Sequence, residues 1–263
     1  LHQYFRFPNE SGGTRSFDLA TGFLRSGHEV EVLTSTSDIG CKTDKRWFRI
    51  EKNGLVVHYI YLNYRNDMTY LQRSIVFFQF LFFSTFKLLS LKCDLVLATS
   101  TPLTIAIPSL IKKWIHKIPF IFEARDIWPE AAIAIGVVKN KFLQQSLFFL
   151  EHMIYKNASA LVPLSVEMKQ SIILRYPMLS KKYIQVIENI SEITRFQNGY
   201  NKNVSILKQR IGFKPRFAVL YAGTFGRVNG IDYVIELANK LLKLDPTIIF
   251  ILVGDGAKKK NDY

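Results

Sequence analysis

The stretch from Phe217 to Gly256, FAVLYAGTFGRVNGIDYVIELANKLLKLDPTIIFILVGDG, constrains the fold more than any other part of the chain. The apolar run Phe217 to Ala222 ends in the glycine-spaced turn Gly223-Thr224-Phe225-Gly226. Apolar residues then recur at a helical period from Ile231 to Leu244, and a second apolar run, Ile248 to Val253, ends in Gly254-Asp255-Gly256. Both strands of this β-loop-α-β unit therefore end in glycines, at the edge where open α/β sheets place their ligands.

Upstream the pattern alternates in the same way. Thr14 to Ser26 reads as a helix, with Phe17, Ala20 and Leu24 on one face and Gly27 as its stop. Glu29 to Thr34 and Leu55 to Leu62 alternate like strands, and Asp94 to Thr99 and Pro119 to Phe122 are short apolar runs of the buried parallel type. Helices are predicted over Leu103 to His116, Phe142 to Asn157 and Ser165 to Tyr176. Alternating elements of this kind predict an α/β protein whose parallel sheets are covered on both faces.

Between Ile187 and Phe213 the pattern loosens, and the polar piece ISEITRFQNGYNKN reads as a linker between domains. We expect a first domain over residues 1–190, a linker over 191–203 and part of a second domain over 204–263. The chain enters a loop-like stretch directly from Leu1, so its first strand is expected to be clipped. It stops seven residues after Gly256, so the second domain is expected to be truncated.

Apolar residues at 48% and charged residues at 21% of 263 supply ample core for a soluble globular protein. Two cysteines, Cys41 and Cys93, make no disulfide framework and read as reduced thiols of a cytoplasmic protein. The net charge of +14 splits evenly: residues 1–192 carry 23 basic and 16 acidic side chains, residues 193–263 carry 12 and 5. These cations are scattered, apart from Lys258-Lys259-Lys260, which argues against a nucleic-acid binder with one basic stripe and interleaved aromatics. Attraction to an anionic membrane face or to phosphorylated ligands fits better, with solvated charge lacking any partner as the competing account.

Four features bear on chemistry. In Glu10-Ser11-Gly12-Gly13-Thr14-Arg15, two glycines just before a helix let backbone approach a ligand and leave N–H groups at a positive helix end. A lone Gly-Gly is also an ordinary tight turn; the second glycine loop far down the chain favours the ligand site. In Phe122-Glu123-Ala124-Arg125-Asp126-Ile127-Trp128-Pro129-Glu130, Arg125 is placed to hold a phosphate or carboxylate, and Asp126 to accept a sugar hydroxyl or a proton. Asp126 equally suits the N-cap of a helix begun by Pro129 and Glu130, and one residue can do both. A carboxylate cluster of Glu123 with Asp126 or Glu130 has the chemistry of glycoside hydrolysis, but no other feature supports it.

The third feature, Ile75 to Leu91, holds six phenylalanines and is short of the ~20 apolar residues that a membrane span needs. Flanked and entered by Arg73, Lys87 and Lys92, it reads either as a helix lying among lipid headgroups or as a wholly buried core helix. The fourth is negative: the five histidines are isolated, without metal-ligand spacing, and no nucleophile elbow or Walker-type lysine loop is present.

The motifs GGTR near the start, RDIWPE after a central strand, and YAGTFGRVNGIDYVIELA followed by FILVGDG resemble, in order and spacing, those of bacterial retaining glycosyltransferases of the GT-B fold. They are similar to the glycosyltransferase group 1 or family four type, in particular the enzymes of O-antigen and capsule synthesis, including fucosamine transferases. The resemblance runs along nearly the whole chain. It implies two Rossmann-like domains with parallel sheets facing a cleft. The amino-terminal domain takes an acceptor, often a polyprenyl-diphosphate-linked sugar, and the carboxyl-terminal domain takes a nucleotide-sugar. It further implies transfer of a hexosyl or N-acetylhexosaminyl group with retention, no cofactor, no metal and no nucleic acid. The protein would sit peripherally on the inner face of the cytoplasmic membrane, through Ile75–Leu91 and basic residues.

Carried onto this chain, the resemblance gives Arg125 and Asp126 the place of a His-Asp pair near the transferred sugar. Donor binding falls to Gly12, Gly13, Gly223, Thr224, Arg227, Asn229, Gly254 and Asp255. Thr224 and Asn229 stand where many relatives have Arg and Lys, leaving Arg227 as the nearest substitute cation. The usual Pro-Asn-Gly junction appears as Glu188-Asn189-Ile190-Ser191 and keeps only its Asn. The family's paired glutamates would lie beyond Tyr263, so the fragment is expected to bind donor poorly and to turn over negligibly. A nucleotide-sugar epimerase of the same architecture and a non-catalytic membrane-associated scaffold are the alternatives.

Overall fold

The computed structural model describes residues 1–10, 12–36, 43, 45–63, 68, 70–100, 102–134, 136, 138–194, 197, 217–225, 229–254 and 256. The chain divides into two compact units, Leu1–Ser191 and Glu192–Tyr263.

In the first unit the order is α1 (Arg15–Arg25), β1 (Glu31–Ser35), β2 (Trp47–Lys52), β3 (Leu55–Ile60), α2 (Tyr70–Ser90) and β4 (Val96–Thr99). A short 3-10 turn then leads into α3 (Ile107–His116), β5 (Phe120–Ala124), α4 (Glu130–Ala134), α5 (Lys141–Asn157), β6 (Ala160–Pro163) and α6 (Val166–Arg175). The strands form two three-stranded sheets, ordered β1-β3-β2 and β4-β5-β6.

Residues 1–3 join these sheets. The amino group of Leu1 donates to Leu97 O (2.7 Å), and Thr99 N donates back to Leu1 O (3.0 Å). On the other side His2 N donates to Leu33 O (3.1 Å) and Ser35 N donates to Gln3 O (3.3 Å). The segment that looked loop-like in the sequence thus fills a strand position between β1 and β4. The residues are too few and too polar to show a strand's alternation. Parallel pairing of β1 with β3, and of β4 with β5 and β6, sets the carboxyl ends of these strands on one edge.

One strand departs from the all-parallel expectation. β2 pairs antiparallel with β3 through the two-residue turn Asn53-Gly54, whose φ angles of 55° and 75° are both left-handed. Asn-Gly tolerates that geometry, and its twist matches a hairpin. Both faces of the unit are covered. Val32 of β1 packs with Phe5, Phe7, Phe17 and Val57, whereas Leu33 beside it packs with the cluster of Phe80, Leu110, Phe120 and Ile154. Successive strand residues point to opposite faces, so each face has its own core.

α2 is not the wholly buried core helix that was one of the two readings of the sequence. Val76, Phe80, Ser84 and Leu88, four residues apart, are buried, while Ile75, Phe78, Phe82 and Phe86 are 51–64% exposed. It therefore carries one apolar stripe inward and a second outward. The buried ammonium of Lys112 on α3 donates to Leu88 O (2.8 Å) and Leu91 O, satisfying carbonyls at the negative end of α2. Among the described residues no helix is long and apolar enough to cross a membrane.

The second unit holds β7 (Ala218–Ala222), α7 (Ile231–Leu244) and β8 (Ile249–Val253), with β7 and β8 parallel and in register from Ala218–Ile249 to Ala222–Val253. Ile231 is buried, but Leu220, Leu242 and Val253 are more than half exposed.

Candidate functional site

The glycine loop before α1 lies at the carboxyl edge of the first unit's sheet. Gly12 has φ +129°, and a Cβ there would stand 3.0 Å from Arg6 Cγ, so only glycine fits. A Cβ on Gly13 would stand 3.9 Å from Arg125 Nη2, which puts that guanidinium against the loop. Thr14, the N-cap residue of α1, makes no capping bond, because its hydroxyl donates to Asp18 Oδ2 (2.9 Å). No side-chain cap from Thr14 therefore covers the first-turn N–H groups at the positive end of the helix dipole.

Arg125 follows β5 directly and is half-buried. Its backbone N donates to Ser100 Oγ (2.8 Å) at the end of β4, and its Nη1 lies 3.4 Å from His2 Nε2. A guanidinium only donates, so Nε2 must accept, and the Nδ1–H of His2 faces Ser16 Oγ at 2.9 Å. Burial lowers the His2 pKa to about 3, and the nearby charges of Arg125 and Arg6 push the same way. The imidazole stays neutral beside the Arg125 guanidinium, while Arg6 packs its Cγ against Gly12 and donates from Nη1 to Phe5 O (3.0 Å).

Arg15, the first residue of α1, is also buried. Its Nε and Nη2 hold Glu123 Oε1 at 2.9 and 2.8 Å, and its Nη1 and Nη2 reach the carbonyls of Glu188 and Ile187. One side chain thus ties the glycine loop's helix to β5 and to the last residues of the unit. Glu123 is 1% exposed, with its Oε2 unpartnered.

This disposes of the glycoside-hydrolysis cluster. Glu123 is neutralised by Arg15, Glu130 pairs with Arg175 on α6, and Asp126 is exposed. Asp126 is not the N-cap either, since α4 begins four residues later at Glu130. Glu130 instead joins a buried network: Arg175 Nη1 donates to both carboxylate oxygens of Glu151 (3.0 and 2.9 Å), and the Tyr176 hydroxyl donates to Glu151 Oε2 (2.7 Å). Burial raises the Glu151 pKa against the lowering pull of Tyr176 and Arg175, and burial together with the Glu151 carboxylate pushes that of Tyr176 well up. The network pins the far end of the RDIWPE segment.

In the second unit the two glycine turns meet backbone to backbone. Gly223 N donates to Val253 O (2.9 Å), and a Cβ on Gly254 would lie 1.8 Å from Gly223 O. Thr224 is exposed, its carbonyl accepting from the Tyr221 hydroxyl (3.0 Å), and Asn229 is exposed one residue before the left-handed Gly230 that caps α7. Arg227 and Asp255 lie outside the described residues.

The structure therefore brings Gly12, Gly13 and Arg125 together in one unit, and Gly223 with Gly254 in the other. Arg6, His2 and the Arg15–Glu123 pair were not singled out as site residues from the sequence. Arg15 ended the quoted GGTR motif, but nothing in the spacing shows Arg6 folding back onto Gly12.

Residues 12–188 match the model of the glycosyl transferase 4-like domain. The chain belongs to that family. A protein of Escherichia coli (strain K12), provisionally described as the colanic acid biosynthesis glycosyl transferase WcaI, is 36% identical over 72 residues, which are 27% of this chain and 17% of that protein. Among solved structures, E. coli trehalose-6-phosphate bound with UDP-2-fluoro glucose has a TM-score of 0.67 at 11% identity, covering 98% of this chain and 64% of that one. Sucrose-phosphate synthase from Thermosynechococcus elongatus gives 0.59 at 14% identity, covering 96% and 66%. The α,α-trehalose-phosphate synthase (UDP-forming) from Burkholderia xenovorans, in complex with glucose-6-phosphate, gives 0.63 at 11%, covering 98% and 66%. The chain thus spans slightly less than two thirds of these structures' length, and the likeness is one of fold: α/β, with Rossmann-like parallel sheets of GT-B type.

Proposed function

We propose that this glycosyl transferase 4-like chain belongs to an enzyme moving a sugar from a nucleotide-sugar to a lipid-linked glycan acceptor in surface polysaccharide synthesis, with retention. The observation that carries this reading is the convergence of Arg6 and Arg125 on the Gly12–Gly13 loop at the start of α1. A departing nucleoside diphosphate gathers negative charge. Fixed guanidinium groups, loop N–H groups and a helix amino end stabilise that charge without rearranging during the step. A metal is not needed for this, and we infer none.

Neutral His2 accepts from Arg125 Nη1 and so helps hold that guanidinium in place without titrating near neutral pH. Arg125 acts on the leaving group, and Asp126, exposed beside it, contacts hydroxyls of the transferred sugar. Gly223, Thr224, Arg227, Asn229, Gly254 and Asp255 bind the rest of the donor. The outward stripe of α2 rests on the anionic inner face of the membrane, where scattered cations add attraction. The partial match to WcaI, named for colanic acid synthesis, supports the surface-polysaccharide reading.

The test supplies labelled nucleotide-sugars to membranes from cells that overproduce the full enzyme to which this chain belongs. Label from at least one sugar should enter the lipid-extractable fraction, and Arg125→Gln should reduce it a hundredfold or more, as for loss of a group stabilising transition-state charge. Label released only as free sugar, or equal incorporation by the variant, contradicts the proposal.

A further inference from the structure

We propose that a pocket between Arg46 and the first turns of α2 seats the phosphate-bearing head of a lipid-linked acceptor, whose chain lies along the outward stripe of the same helix. The inference rests on the transferase reading above and gives its acceptor an address. The pocket is an open hollow of about 350 Å³, with Arg46, Asn63, Gln72 and Gln79 as polar lining and Ile75 and Val76 as apolar wall. Arg46 Nη1 donates to Tyr61 O (3.2 Å), and its guanidinium carbon sits 4.7 Å from the Phe83 ring centre, which holds the charge at the pocket wall. A cation beside amide groups suits phosphate and sugar oxygens.

The apolar track starts at the pocket's rim. Ile75 lines the pocket and is 51% exposed, and Phe78, Phe82 and Phe86 continue outward from it at 64, 58 and 58% exposure. Phe82 touches Phe83 and Phe86, with ring centres 5.4 and 4.8 Å apart, so aromatic surface runs unbroken from Arg46 to Phe86. From Ile75 to Phe86 the track is roughly 16 Å long, at the rise of an α-helix. One molecule offering both an anionic head and a long apolar chain fits this arrangement, and the chain's +14 charge favours an anionic occupant.

The pocket lies past the carboxyl end of β3 and Arg125 past that of β5, with β1, residues 1–3 and β4 between. Four strand spacings separate them, about 19 Å. A head group resting on Arg46 must therefore carry glycan to bring a hydroxyl to Arg125.

The experiment is vesicle flotation with phosphatidylcholine alone, with added polyprenyl phosphate, and with phosphatidylglycerol matched for surface charge. The wild type should bind polyprenyl phosphate vesicles severalfold better than phosphatidylglycerol vesicles. Arg46→Gln should erase that excess and keep the phosphatidylglycerol binding. Phe82→Ser with Phe86→Ser should weaken both, with circular dichroism unchanged because both rings are exposed. Equal binding to the two anionic sets, or an excess that survives Arg46→Gln, overturns the pocket but leaves membrane docking standing. No binding to any vesicle overturns the lipid-linked reading as well.

Discussion

Glycines at two positions of the first unit have opposite jobs. Gly12 is held at φ +129° against Arg6, while Gly22, inside α1, has nothing within 4 Å of where its Cβ would be. Gly12→Ala should therefore lower nucleoside diphosphate affinity tenfold or more in calorimetric titration, because the loop must move away from Arg6. Gly22→Ala should raise stability by about 0.5–1 kcal/mol in urea unfolding and leave affinity alone. His2 makes a prediction about pH. Its folded pKa of about 3 lies below the ordinary 6.5, so the unfolded chain binds the extra proton first. The His2 contribution to stability should hold above pH 6.5 and fall steadily as pH drops from there toward 3, and His2→Gln should flatten that part of the slope in urea titrations. A wild-type slope unchanged by the substitution would show that His2 is not the group responsible.

At the scale of elements, α2 is where the sequence was least able to speak. Its residues are apolar almost all round, so the helical period had no polar face to report. Which stripe turns inward was decided by the packing of α3 and the sheet. The two stripes should respond differently. Phe80→Ala, at 2% exposure, should cost about 3–5 kcal/mol, whereas Phe82→Ser, at 58%, should stay within about 0.5 kcal/mol in the same unfolding assay. Elsewhere the pattern was plain. The helix over Ile231–Leu244 coincides with its apolar period, and the strands at Leu55, Val96 and Phe120 start within two residues of their apolar runs. β2 could have been found, since Asn53-Gly54 is a strong hairpin signal; β6 was hidden because a proline closes its short apolar run, Ala160–Pro163. The strand role of Leu1–Gln3 had no pattern to reveal it.

At the scale of the whole molecule, the glycine motifs were legible because backbone that must approach a ligand or another backbone leaves glycine in the sequence. Their partners were not. Arg6, Arg15 and Glu123 act through contacts spanning up to 173 residues, as between Arg15 and Glu188, and no local spacing encodes these. What the family match adds is the identity of residues 12–188, the span that holds the loop and most of its partners. The account stands on one physical claim: Arg6 and Arg125, set around Gly12 and Gly13, form an anion site for a diphosphate. Calorimetric titration of the chain with a nucleoside diphosphate, at fixed ionic strength, tests it most directly. Arg6→Gln combined with Arg125→Gln should weaken binding at least tenfold, as expected for loss of charge-assisted hydrogen bonds. Equal affinity in the wild type and the double variant would contradict the account.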